Sequence, residues 1–102
     1  MRITADLILQ SRAFYNPLKE RELDLRGLKI PTIENLGATE DQFDTIDFTD
    51  NSITVIENIP HFDHLKALIF TNSRVATINE AVCANIPNLE TLIYIFYETR
   101  SK

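Results

Sequence analysis

His61 and His64 stand three residues apart with Asp63 between them, a spacing that can place two imidazoles on one helical face as zinc ligands. A zinc site needs further ligands, and no second pair follows at a useful spacing. The single cysteine, Cys83, lies far along the chain. A cysteine–histidine nucleophile made from Cys83 and either histidine has no local motif behind it. Flanked by Val82 and Ala84, Cys83 reads instead as a small buried residue in a helical stretch. Glu40, Asp41 and Asp44 form an acidic run of the kind that more often covers a solvated surface than performs acid–base chemistry. Two glycines in the whole chain leave little room for phosphate-cradling loops. The expectation is a protein that is not an enzyme, with no metal, cofactor or small-molecule substrate.

These side chains belong to one small domain. The chain has 102 residues, 44% of them apolar and 25% charged, an ordinary folded composition. Its formal charge of −5 disfavours tight nucleic-acid binding by this chain alone and favours a partner with a basic surface. One cysteine excludes an internal disulfide. No apolar run approaches the roughly 18 residues of a membrane span, so no membrane partner is expected. The bulk numbers point to the cytosol or the nucleus.

The elements follow from an internal repeat. Four apolar pairs of the form L-x-L occur at Leu23/Leu25, Ile46/Phe48, Leu68/Phe70 and Leu92/Tyr94, their first members 23, 22 and 24 residues apart. That period is the one of leucine-rich repeats, roughly 20–29 residues. The second unit fits the template L-x-x-L-x-L-x-x-N-x-L throughout, with Phe43, Ile46, Phe48, Asn51, Ile53 and Ile56. The third unit has Ser73 in the asparagine place, and the first has Leu28 there. Alternation within each L-x-L makes a strand, and stacking the strands makes a short parallel sheet. Asn51 is placed to bond backbone groups left unpaired at the bend, and Ser73 to do so in part. The return segments 34–39, 56–64 and 78–85 should be 3₁₀ or helical, with Pro60 and Pro87 ending the last two.

The fold class is therefore α/β, a leucine-rich-repeat solenoid with its sheet on the concave face and helical or 3₁₀ returns on the convex face. Residues 1–102 form a single domain, with residues 1–18 as a cap and about three and a half repeats after it. Thr4 as N-cap and Asp6 in the first turn start a capping helix over residues 4–13, closed by Asn16-Pro17. At the other end, Ile93-Tyr94-Ile95-Phe96-Tyr97 is an uncharged, β-prone run, expected to be an aggregation or dimerisation edge.

Alternation also selects the binding face. If the L-x-L residues point inward, their neighbours face solvent: Glu22, Asp24 and Arg26; Thr45, Asp47 and Thr49; Ala67, Ile69 and Thr71; Thr91, Ile93 and Ile95. Carboxylates lie toward the N-terminal end and isoleucines toward the C-terminal end. An amphipathic helix bearing Lys or Arg would suit such a groove. Solvated charge is the commoner role of single face residues such as Asp24 and Asp47. Arg2, Lys19 and Arg21, with Arg12 and Lys29, are the candidates for RNA phosphate contact. Scattered solubility charges are the commoner explanation for them.

Several stretches exceed what the repeat dictates: Arg21-Glu22-Leu23-Asp24-Leu25-Arg26-Gly27, Ile33-Glu34-Asn35-Leu36-Gly37-Ala38-Thr39 and Asp47-Phe48-Thr49-Asp50-Asn51. With them, residues 3–92 closely resemble the A-prime family of the spliceosomal U2 small nuclear ribonucleoprotein. The resemblance implies a nuclear scaffold that holds an RRM protein, B-double-prime-like, on its concave sheet. The pair then binds a stem-loop of U2 snRNA during pre-mRNA splicing, with RNA reached mainly through the partner. The fourth unit departs from the family pattern, implying a form without the later repeats and C-terminal cap. The alternative is a regulatory or adaptor module of the same fold with another protein partner.

Overall fold

The structure, a computed structural model, describes the backbone of residues 1–96 and the side chains of residues 1–94. Helix α1 (Ala5–Gln10) leads into strand β1 (Arg12–Tyr15) and strand β2 (Arg21–Asp24). A 3₁₀ turn (Leu36–Thr39) precedes β3 (Thr45–Asp47) and the short β4 (Val55–Ile56). Strand β5 (Ala67–Val75), strand β6 (Thr77–Ile78), helix α2 (Ala81–Asn85) and strand β7 (Thr91–Phe96) follow.

The main sheet has the order β1-β2-β3-β5-β7. From β2 onward it is parallel, and one register runs through it: Leu23 beside Ile46, Ile46 beside Leu68, Leu68 beside Leu92. The repeat seen in the sequence is thus a physical ladder. Each turn is too small to enclose its own leucines and shares one core with its neighbours. Leu23, Leu25, Ile46, Phe48, Leu68 and Phe70 are all buried. In the last unit Leu92 is half-buried and Tyr94 is exposed, because these residues lie at the end of the described stack.

The N-terminal cap differs from the expected helix over residues 4–13. Thr4 caps α1 by accepting from the Leu7 N–H at 3.1 Å, as its type requires. The helix stops at Gln10 because Ser11 turns extended, with its hydroxyl donating to the Leu7 carbonyl. Residues 12–15 then pair antiparallel with β2, so the sheet is mixed rather than purely parallel. Asn16 does not close a helix. Its side-chain oxygen accepts from the Leu18 and Glu20 N–H groups and shapes the hairpin turn.

The bends are held by asparagine. Asn51 is 7% exposed. Its Oδ1 accepts from the Leu28 and Ile30 N–H groups of the preceding turn, at 3.1 and 3.0 Å. Its Nδ2 donates to the Leu25 and Phe48 carbonyls, at 2.8 and 2.9 Å. Ser73, in the same place one turn on, does not share this role. Its hydroxyl is buried and lacks a partner among the described residues, because it is too short to span two turns. Gly27, Asp50 and Asn72 stand two residues after the second apolar residue of their L-x-L pairs. All three have positive φ, a conformation that Gly, Asp and Asn tolerate best.

The first and third return segments carry the expected helical turns, Leu36–Thr39 and Ala81–Asn85, but the second departs from expectation. Residues 56–64 form no helix; Val55–Ile56 pairs with Thr77–Ile78 in a second, two-stranded parallel sheet. A second set of asparagines holds this side. Asn35 donates to the Ile3 carbonyl, Asn58 to that of Ile33 and Asn85 to that of Ile59. The signal was visible as Ile33-Glu34-Asn35 and Ile56-Glu57-Asn58, one repeat apart. Cys83 is exposed, not buried. In the short α2, Val82 and the C-cap residue Ile86, at i, i+4, take the core side and leave Cys83 at the rim of an open apolar depression beside Ile78 and Leu89.

His61 and His64 bond to different carboxylates. His61 Nε2 lies 2.9 Å from Asp63, and His64 Nδ1 lies 3.1 Å from Asp41. Among the described residues no three His, Cys, Asp or Glu side chains gather as a metal would need. Asp41 also accepts from the Asp63 and His64 N–H groups, so it ties one turn to the next. The hydrogen bond and charge of Asp41 raise the His64 pKa, with Asp44 and Asp63 adding to it. Burial alone would raise Asp41, but the His64 and Asp63 hydrogen bonds outweigh it and lower the carboxyl.

The pH consequence follows from these two signs. The His64 contribution to stability is complete below the histidine's unfolded pKa and is lost as pH rises through its higher folded value. The Asp41 contribution is complete above the unfolded carboxyl pKa and is lost as pH falls through its lower folded value. The pair therefore acts fully between about pH 4 and pH 6.5. His64→Gln should lower the melting temperature at about pH 5.5 and do so less at about pH 8. Thermal unfolding at both values checks this, and an equal decrease at both would contradict it.

Candidate protein-docking site

The concave face is built by the residues between the buried ladder positions. Register aligns them in rows across the strands. One row runs Arg12, Asp24, Asp47, Ile69, Ile93. The row beside it runs Phe14, Glu22, Thr45, Ala67, Thr91. The first row passes from charge to hydrocarbon across five strands. Ile69 is half-buried in the middle of the sheet, and Ile93, near its end, is 46% exposed.

Arg12 and Phe14 also lie on this face and were not among the residues expected there. Arg12 fell within the expected helix over residues 4–13 and Phe14 just after it, whereas β1 carries both onto the concave side. The Arg12 guanidinium stacks over Phe14, 4.3 Å from the ring centre. The alternation Arg12-Ala13-Phe14-Tyr15 ahead of Asn16-Pro17 was the available signal for a strand and turn.

The expected site residues are in unequal settings. Glu22, Asp24, Asp47, Thr49 and Ile69 are half-buried, while Arg26, Thr71, Thr91 and Ile93 are exposed. Thr45, expected to face solvent, is 3% exposed. It sits on a central strand between Glu22 and Ala67, and the rim residues Leu18 and Lys66 surround the same depression. The Ile95 side chain and Tyr97 lie outside what the structure describes.

The carboxylates are organised locally. Asp24 accepts from Arg26 at 3.0 and 3.2 Å, and this hydrogen bond is the main reason its pKa is lowered. Burial opposes that shift, and the Arg26 backbone N–H and charge add to it. Asp47 accepts from both the backbone and the hydroxyl of Thr49. Each aspartate thus holds the chain two residues on, but Asp24 gives its charge to Arg26, whereas Asp47, bonded to the neutral Thr49, keeps its charge on the face.

Arg2, Lys19 and Arg21 are held in three different settings. Arg2 bonds Glu34 of the first return segment at 2.9 Å. Lys19 sits in the hairpin turn with positive φ. Arg21 begins β2 with its guanidinium 5.1 Å from the centre of the Phe43 ring.

Comparison with known proteins bears on what such a face binds. The sequence matches the leucine-rich-repeat family over residues 1–100. It is 54% identical over 93 residues to the U2 small nuclear ribonucleoprotein A′ of Arabidopsis thaliana, covering 91% of this chain and 37% of that protein. It is 48% identical to the human protein of the same name, covering 91% of this chain and 36% of that protein. The chain therefore spans little more than a third of the length of these curated relatives. A crystal structure of the Drosophila melanogaster SNF/U2A′ complex superposes with a TM-score of 0.88 at 51% identity, covering 90% of this chain and 53% of that one.

Proposed function

This chain belongs to the leucine-rich-repeat family, and from that premise we propose that it is an A′-type scaffold of the spliceosome that binds a protein and catalyses nothing. Its partner is an RRM protein of the SNF or B-double-prime kind, held against the concave sheet. U2 snRNA is reached mainly through that partner, in the nucleus. The observation that carries the reading is the row from Asp24 and Asp47 to Ile69 and Ile93. An amphipathic helix with a basic end can lie along it, burying hydrocarbon on the isoleucines and meeting charge on Asp47. The likeness to a chain named in complex with SNF supports the same occupant.

The test is titration calorimetry with the Drosophila SNF protein. Combining Asp47→Lys with Ile93→Asp should weaken binding by roughly 30-fold or more, since it strikes both halves of the row. Far-ultraviolet circular dichroism should not change, as neither side chain is in the core. Unchanged affinity would dispose of the concave face as the docking site, and capture of a different protein class would favour an adaptor role.

A further inference from the structure

Resting on the concave-face reading, we propose that one depression in this face is a socket for a single lysine or arginine side chain of the bound partner. The row of Thr45, Ala67 and Thr91 is built of small residues, so the sheet surface dips there. Leu18, 78% exposed in the hairpin turn, and Ile69 in the adjacent row stand around it. The resulting cavity holds about 260 Å³. That is below the roughly 300–1,000 Å³ of small-molecule sites and fits one protruding side chain better than a free ligand.

The charges around the socket select its occupant. Glu20 is paired with Lys66 at 3.5 Å, so those two largely cancel. Glu22 and Glu90 are the two carboxylates of the lining that have no ion pair among the described residues. Glu22 accepts from the neutral Asn16 amide, at 3.2 Å, and Glu90 is exposed on the far side of the depression. A long basic side chain matches both parts: its methylenes lie on Leu18 and Ile69, and its head reaches the carboxylates. An acidic side chain would meet two like charges, and a purely apolar one would leave both carboxylates desolvated.

The experiment measures affinity for the Drosophila SNF protein in four variants of the full chain. Ala67→Leu fills the socket from a half-buried surface position and should weaken binding at least ten-fold. Glu22→Gln and Glu90→Gln should each weaken it several-fold and make it less salt-dependent, with melting temperatures near that of the unchanged chain. The fourth variant, Asp47→Lys with Ile93→Asp, reports on the groove itself. If it weakens binding while Ala67→Leu does not, the socket is wrong and the groove stands. If Ala67→Leu weakens binding but neither glutamine variant does, the occupant is not a cation and the proposal fails. If none of the four matters, the groove reading falls as well.

Discussion

Asn51→Ala is expected to destabilise the protein by roughly 3–5 kcal/mol, an unusually large effect for one polar side chain. Four backbone groups lose a partner at once, the Leu28 and Ile30 N–H donors and the Leu25 and Phe48 carbonyls, and a longer bond to the Thr49 carbonyl goes with them. They belong to two successive turns, so the substitution frees the bend of one and the strand exit of the other. Each buried group left without a hydrogen bond costs about 1–3 kcal/mol, and partial relaxation keeps the total below a simple sum. For a domain of this size the melting temperature should fall by more than about 12 °C. A decrease under about 5 °C in thermal unfolding would mean that water replaces the amide, and the account would be wrong. The reciprocal change is informative. Ser73, in the equivalent place, has a buried hydroxyl without a partner among the described residues. Ser73→Asn should extend the asparagine column and add about 1 kcal/mol.

Phe48→Ala should cost about 3–5 kcal/mol by a different mechanism. Phe48 is fully buried, and its ring lies parallel to that of Phe70, with centroids 5.1 Å apart and planes 5° apart. The two rings occupy the same place in successive turns, so they form the aromatic rungs of the core. Truncation removes apolar contact on both sides and leaves a cavity that rigid neighbouring strands cannot close. Phe48→Leu should cost less than half as much, since it keeps most of the volume. Urea unfolding would show both effects as shifts of the midpoint at nearly constant slope. Equal losses for Leu and Ala would point to ring stacking rather than cavity formation as the dominant contribution. Since β3 carries Thr45 and Asp47 opposite this core, the groove depends on the same packing.

The ladder was legible from residue types alone. A repeat of 22 to 24 residues, L-x-L pairs and Asn51 at its bend state local chemistry that repeats identically, so each unit predicts its neighbour. The same alternation named most of the concave face, from Glu22 to Ile93. Where neighbours in the fold rather than in the chain decide, the reading failed. Arg12 and Phe14 join the sheet because β2 offers them an open edge; their alternation allows a strand, but only that edge makes it one. Thr45 is buried because Glu22 and Ala67 lie beside it, although each is more than 20 residues away. Val55–Ile56 becomes a strand because Thr77–Ile78 pairs with it across the return side. Cys83 faces out because the five residues of α2 have only one side to bury, and Val82 with the C-cap residue Ile86 takes it. Sequence by itself determined the period, the core and the face on offer, since hydrophobic alternation is encoded residue by residue. Tertiary structure alone decided the caps, the depth of the groove and the pairing of its charges, since burial and ion pairing depend on what another turn brings alongside.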